Sequence, residues 1–193
     1  MRIAVIGAGK IGGTIGGIWE KSGHEVVYGL RDPSKHQGAQ PIDGALEGAE
    51  AVLLAVPGNA VVELVRQHAP ALDGKLVIDA TNNFGGPAMN SMPALTAALP
   101  KAHLYRALNT LGWDVFANPM LGGEQADLFY CGPEGPSQEQ AERLFADVGL
   151  RPIRVGDADA ADVVDGILRL WFTLSRRLGR RIAFQTISDQ PIS

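Results

Sequence analysis

Three glycines at G-x-G-x-x-G spacing, Gly7, Gly9 and Gly12, lie in the stretch V-I-G-A-G-K-I-G-G-T-I-G-G. Each residue type has a physical job at that spacing: a tight turn, close backbone approach to a pyrophosphate, and close packing of a helix on a strand. With 24 glycines in 193 residues, spacing alone would be weak evidence. Position strengthens it. The motif follows an apolar strand candidate that begins at residue 2, opens a helix candidate and precedes a second strand candidate. A dinucleotide-binding loop is therefore expected. Gly13, Gly16 and Gly17 extend the glycines into the helix. Each costs about 1 kcal/mol relative to alanine, so this helix is expected to lie unusually close to the sheet or to the cofactor.

The end of the second strand, Y-G-L-R-D-P-S-K from Tyr28 to Lys35, bears on which dinucleotide is held. A carboxylate at position 30 would accept hydrogen bonds from ribose hydroxyls and repel a 2′-phosphate, and Leu30 does neither. Arg31 offers a planar fork to a phosphate and Lys35 a second positive charge. Charge-assisted hydrogen bonds contribute about 1.5–3 kcal/mol each, so the pair, discounted for solvent, favours NADP over NAD by about tenfold to a thousandfold. Two alternatives stay open. Arg31 stacks on adenine without preference, or Asp32 turns inward and opposes the phosphate.

Dedicated acid–base machinery is not apparent. His24 precedes a strand candidate, His36 lies in a loop, His68 ends a helix candidate, and His103 starts a strand candidate, as Lys101 nearly does. There is no Cys–His pair, no metal-ligand spacing and no nucleophile elbow, and no catalytic residue is assigned. A carbonyl or alcohol substrate needs a positioned proton donor or acceptor. Hydride exchange between two flat rings stacked about 3–3.5 Å apart needs little beyond orientation. The acceptor expected is therefore a small redox carrier.

The elements that must position these residues read as an α/β chain. Apolar runs at Ile3–Ile6, Glu25–Tyr28, Ala51–Val56, Leu76–Asp79, His103–Ala107, Asp127–Tyr130 and Pro152–Val155 alternate with helical patterns. Several are apolar on consecutive residues, as parallel strands covered on both faces are. Helices are predicted over Ile11–Lys21, over Val61–His68 with Asn59 as cap, and over Gln138–Val148 with Ser137 as cap. The Pro- and Gly-broken stretch Asp32–Glu50 predicts a clipped connection with a short helix near Ala45. The polar, glycine-rich Thr81–Asn90 is expected to be a ligand loop. A long amphipathic helix over Ala160–Leu178 carries one broad apolar stripe, from Val163 to Leu178, and ends in Arg176, Arg177, Arg180 and Arg181.

The expected architecture is a Rossmann-type, doubly wound, mainly parallel sheet forming one domain over residues 1–193, with residues 156–193 as a small C-terminal helical extension. The width of the last helix's stripe predicts a homodimer contact. A net charge of −4 gives no reason to expect nucleic acid. No run reaches the roughly 18 apolar residues of a membrane span, and the single Cys131, expected to be a buried filler, suits a reducing cytoplasm.

The segments M-R-I-A-V-I-G-A-G-K-I-G, S-G-H-E-V-V-Y-G-L-R, L-L-A-V-P, R-A-L-N-T, D-L-F-Y-C-G and L-R-L-W-F-T-L form a set. Together they resemble the NADPH-dependent coenzyme F420 reductases, a family whose domain also forms the cytoplasmic reductase module of six-transmembrane metalloreductases. The resemblance implies a cofactor site in which Gly7, Ala8, Gly9, Lys10, Ile11 and Gly12 wrap the pyrophosphate. Arg31 and Lys35 match the family's 2′-phosphate binders, with Leu30 standing where a serine-like residue is usual. Ala55, Val56 and Pro57 would run along the ribose and nicotinamide, and Asn109, Thr110 and Leu111 match the loop beside the nicotinamide. Position 109 is histidine in archaeal members and asparagine in the membrane reductases. The implied cofactor is NADP(H), and the implied acceptor is coenzyme F420, FMN or FAD. A ferric or flavin reductase and a non-catalytic NADPH-sensing module are the alternatives. Trp113 stacking on the acceptor, and the terminal arginines meeting an acidic carrier tail, stay open against core and solvated roles.

Overall fold

The computed structural model describes residues 1–191, so residues 192 and 193 of the expected extension lie outside the described residues. In chain order the elements are β1 (Arg2–Ile6), α1 (Lys10–Lys21), β2 (Glu25–Gly29), α2 (Ile42–Leu46), β3 (Ala51–Leu54), α3 (Val61–Leu72), β4 (Leu76–Asp79), α4 (Met92–Ala98) and β5 (His103–Arg106). There follow α5 (Trp113–Phe116), β6 (Met120–Leu121), β7 (Glu124–Gln125), β8 (Asp127–Tyr130), α6 (Pro136–Asp147), β9 (Arg151–Arg154) and α7 (Ala161–Leu178).

Strands β1 to β5 form one parallel sheet in the order β2-β1-β3-β4-β5. The parallel pair β8–β9 is joined to β5 by an antiparallel bridge, in which the Arg106 and Cys131 amides each donate to the other's carbonyl. The sheet is thus mainly parallel, with the expected Rossmann-type character. Consecutive apolar residues serve its two faces. Ile3, Val5, Leu53 and Ile78 pack with α1, α5 and α6, whereas Ala4, Ile6, Val52 and Val77 pack with α2, α3, α4 and α7. Burying both faces is what forced the strands to be apolar throughout. Trp19 adds a fixed point, donating from Nε1 to the Leu144 carbonyl at 2.8 Å and so tying α1 to α6.

Three boundaries differ from expectation by two residues or more. Asn59 lies inside a 3-10 turn, Gly58–Ala60, and α3 starts from Ala60 and runs on through Pro70 to the buried Leu72. Burial of Leu72 outweighs the one backbone bond that Pro70 removes in the last turn. Helix α6 starts at Pro136, after Gly135 at φ 99°, because proline is pre-set for a first helical position. Ser137 is therefore not a cap, and its hydroxyl instead lies 2.7 Å from the Tyr105 hydroxyl. Strand β3 stops at Leu54, two residues short. The clipped connection is as expected: a 3-10 turn at Pro33–Lys35, a bridge from Gly29 to Gln40, and then the short α2.

Only one side of the α7 stripe meets the core. Val164, Leu168 and Trp171 are buried, while Val163, Leu170 and Leu178 are exposed. After α7 the chain folds back, Ile182 accepting from Trp171 Nε1 and Phe184 from the Asp127 amide. Arg180 approaches Asp114 and Arg181 the Asn118 carbonyl, while Arg176 and Arg177 are exposed. Cys131 is fully buried, and that burial pushes its thiol up to about 11. No helix among the described residues is long and apolar enough to cross a membrane.

Candidate nucleotide-binding cleft

The chain turns from β1 to β2 on one side and then crosses to β3 on the other. The crevice outside the carboxyl ends of β1 and β3 is therefore the topological switch point, where open α/β sheets take ligands. The glycine loop lies there. Gly7 has φ +105°, its amide donates to the Gly29 carbonyl at 3.1 Å, and a Cβ on it would stand 2.5 Å from the Ala55 oxygen. A Cβ on Gly12 would collide with the Gly7 carbonyl and lie 3.1 Å from the Ala55 side chain, so only glycine lets α1 sit this low on β3. Gly9 is the opposite case. Nothing lies within 4 Å of its missing Cβ, no side chain caps α1, and no acidic residue occupies its first turn. A helix start with bare N–H groups and an open backbone fits a pyrophosphate.

The further glycines of α1 divide. A Cβ on Gly16 would meet the Tyr28 ring at 2.5–2.9 Å, which is the close approach expected. Gly13 makes only ordinary contact and Gly17 faces open space, so their presence is not explained by packing. Ala8 and Ile11 are half-buried; Lys10 is exposed and reaches across to Trp113, its Nζ 5.4 Å from the ring centroid.

At the end of β2 the Leu30 amide donates to Gln40, which pins the clipped loop, and its half-buried side chain offers no hydrogen bond. Arg31 is exposed, and no carboxylate among the described residues lies within ion-pair distance of it. Asp32 does not oppose it. Its carboxylate accepts from the Ser34 hydroxyl at 2.7 Å and the Ser34 amide at 3.2 Å, capping the 3-10 turn. The Ser34 hydroxyl above all, with its amide and Lys35 behind it, holds that carboxyl below the usual range. Lys35 is exposed and 3.8 Å from Asp32, so its charge is partly shared.

The far end of the cleft is built from the ends of β3, β4 and β5. Ala55 and Val56 are half-buried and Pro57 is exposed. Pro57, Gly58, Asn82, Asn83 and Phe84 line a cavity of about 550 Å³, so the predicted ligand loop does border a cavity. Leu108 holds φ +61° although it is not glycine, a strained conformation of the kind that clusters at functional loops. Asn109, Thr110 and Leu111 follow it and are all buried. The Asn109 Oδ1 and Thr110 Oγ1 are buried without a partner. None of the four histidines lies here. His24 pairs with Asp147, His68 with Asp43, and His36 packs on Tyr28, while His103 starts β5 at its other end.

Beneath this loop is a group that sequence reasoning passed over. Arg106 is fully buried, pairing with Asp79 at 3.1 Å and Asp165 at 2.7 Å, and donating to Asn82 Oδ1 at 2.9 Å and to the Thr81 carbonyl. Asn90 and Asn109 donate to Asp165 at 2.8 and 3.3 Å. The available signal was Asp165 itself, a carboxylate one residue from Val164 and three from Leu168 on the buried side of α7.

Comparison with known proteins supports the resemblance. Residues 2–83 match the family described as NADP oxidoreductase, coenzyme F420-dependent. A crystal structure from Arthrobacter sp. FB24, provisionally assigned as an F420-dependent NADP-reductase, is 25% identical with a TM-score of 0.85, covering 97% of this chain and all of that one. Rat metalloreductase STEAP3 is 23% identical over 182 residues, which is 88% of this chain and 37% of that protein. Glycerol-3-phosphate dehydrogenase [NAD(P)+] of Pseudomonas entomophila is 27% identical over 104 residues, 42% of this chain and 30% of that protein. The chain thus spans only about a third of the length of these two curated relatives.

Proposed function

We propose that this chain is an NADP(H)-dependent oxidoreductase that passes a hydride between nicotinamide and a flat redox carrier, coenzyme F420 or a flavin. The observation that carries the nucleotide is Arg31, a guanidinium with no carboxylate partner among the described residues, placed where β2 ends beside the open glycine loop. The fit to a dinucleotide is structural as well as compositional. Gly7 and Gly12 pack the loop against Ala55, Gly9 leaves open backbone at the start of α1, and the Asn109 and Thr110 oxygens lack partners at the other end.

In this reading the residues from Gly7 to Gly12 hold the pyrophosphate, and Arg31 with Lys35 holds the 2′-phosphate. Ala55 to Pro57 lie along the ribose, and Asn109 to Leu111 border the nicotinamide. Bound NADPH supplies the hydride. The chain supplies orientation, and the histidines stand elsewhere. That division suits a ring-to-ring transfer, which needs alignment more than proton transfer. The family description of residues 2–83 and the Arthrobacter likeness support F420 as the carrier. The same reading places a second copy of the chain against the exposed edge of α7 at Val163, Leu170 and Leu178.

Mixing the protein with NADP+ and reduced deazaflavin is expected to generate NADPH absorbance, and no rate above buffer would remove the F420 reading. The STEAP3 likeness over 88% of the chain supports a second reading as a flavin or ferric reductase. Flavin-stimulated NADPH oxidation without any deazaflavin response would select it. Tight NADPH binding with no turnover on any acceptor would select a sensing module.

A further inference from the structure

We propose that Arg106 is a positioning residue for nicotinamide: through Asn82 and Asp165 it fixes Asn109 so that a bare acceptor oxygen and the Thr110 hydroxyl face the ring's carboxamide. The proposal rests on the NADP(H) reading above and deepens it.

The chemistry of the donors settles which way each amide points. A guanidinium only donates, so the Asn82 atom 2.9 Å from Arg106 Nη2 is its oxygen. The Asn82 amide nitrogen is then turned toward the next strand end, where it donates to the Asn109 carbonyl at 3.1 Å. A carboxylate only accepts, so the Asn109 atom 3.3 Å from Asp165 is its nitrogen. That leaves Asn109 Oδ1 buried and unpartnered, next in sequence to an equally unpartnered and fully buried Thr110 hydroxyl. An acceptor and a hydroxyl on consecutive residues match a primary carboxamide, whose NH2 donates and whose oxygen accepts. Arg106 itself is fully buried and sits behind Asn82 and Asp165, so it acts on the ligand only through them.

One arginine thus gathers the ends of β4 and β5 and the N-terminal part of α7 onto a single loop. The strained Leu108, at φ +61°, directly precedes the Asn109 that these bonds hold. A purely structural ion pair would need neither the Asn82 bridge nor the unsatisfied oxygens.

The test compares two ligands on two variants. NADPH spans the cleft, whereas 2′,5′-ADP carries the adenosine and its extra phosphate without nicotinamide. In Asn82→Ala, which leaves the buried charges paired, NADPH affinity is expected to fall about tenfold, the value of one such bond, with 2′,5′-ADP changed less than twofold. Asp165→Asn is expected to behave alike if its melting curve shows that it folds, because the new amide permits Asn109 to turn over. A selective loss for NADPH in either folded variant supports the proposal. Unchanged NADPH affinity in both, or equal losses for the two ligands, overturns it. Failure of the unmodified protein to bind either ligand would instead remove the nucleotide reading, and the proposal with it.

Discussion

Arg106→Met is expected to destabilise the fold by about 3–5 kcal/mol, the usual cost of removing one partner of a buried ion pair. The side chain is fully buried, and both of its carboxylate partners are about 1% exposed. Methionine fills most of the stem volume but leaves Asp79 and Asp165 facing each other with no cation between them. Their remaining donors, the Thr81 amide and hydroxyl and the amides of Asn90 and Asn109, serve single oxygens and carry no full charge. Urea unfolding should therefore show a lower midpoint at unchanged slope, and the melting temperature should drop by about 10 °C for a chain of this size. Adding Asp79→Asn and Asp165→Asn to Arg106→Met should recover much of the loss, because a neutral network no longer leaves a charge stranded in the interior. A loss below about 1 kcal/mol in the single variant would mean that water reaches this site.

The second large effect is on specificity. Arg31→Ala is expected to weaken NADPH about tenfold to a hundredfold, the value of a charge-assisted bond to phosphate discounted for exposure, while NADH changes less than twofold. The difference should shrink as salt rises, since Arg31 is exposed and screened. Lys35→Ala should do less, because its ammonium already shares Asp32 at 3.8 Å. Equal losses for NADPH and NADH would identify Arg31 as a lid on adenine. The Ser34 bonds to Asp32 bear on this outcome, since they turn the adjacent Asp32 carboxylate back into its own turn.

How much of this was readable in the sequence depends on distance along the chain. The glycine loop, the β2 end and the clipped connection are local, their physics confined to about ten residues, and they fold as their residue types direct. Consecutive apolar residues in A-V-L-L and L-V-I-D likewise announced strands covered on both faces. Caps failed where a neighbouring proline competed: Pro57 begins a 3-10 turn that absorbs Asn59, and Pro136 takes the first helical position ahead of Ser137. The Arg106 network was not legible, because its partners lie 27 and 59 residues away and an arginine ending H-L-Y-R looks like a solvent-facing strand end. Only the crossing of α7 over the ends of β4 and β5 brings the three charges together. The α7 stripe was legible as apolar, but which half of it meets the core was decided by that crossing, with Val164 and Leu168 turned in beside Asp165 and Val163 and Leu170 left out.

Equilibrium titration of the unmodified protein with NADPH and with NADH, in one low-salt buffer, tests most directly whether an extra phosphate is held at the end of β2. NADPH is predicted to bind at least about tenfold more tightly, as one exposed charge-assisted contact would give. Equal affinities, or tighter binding of NADH, would contradict it.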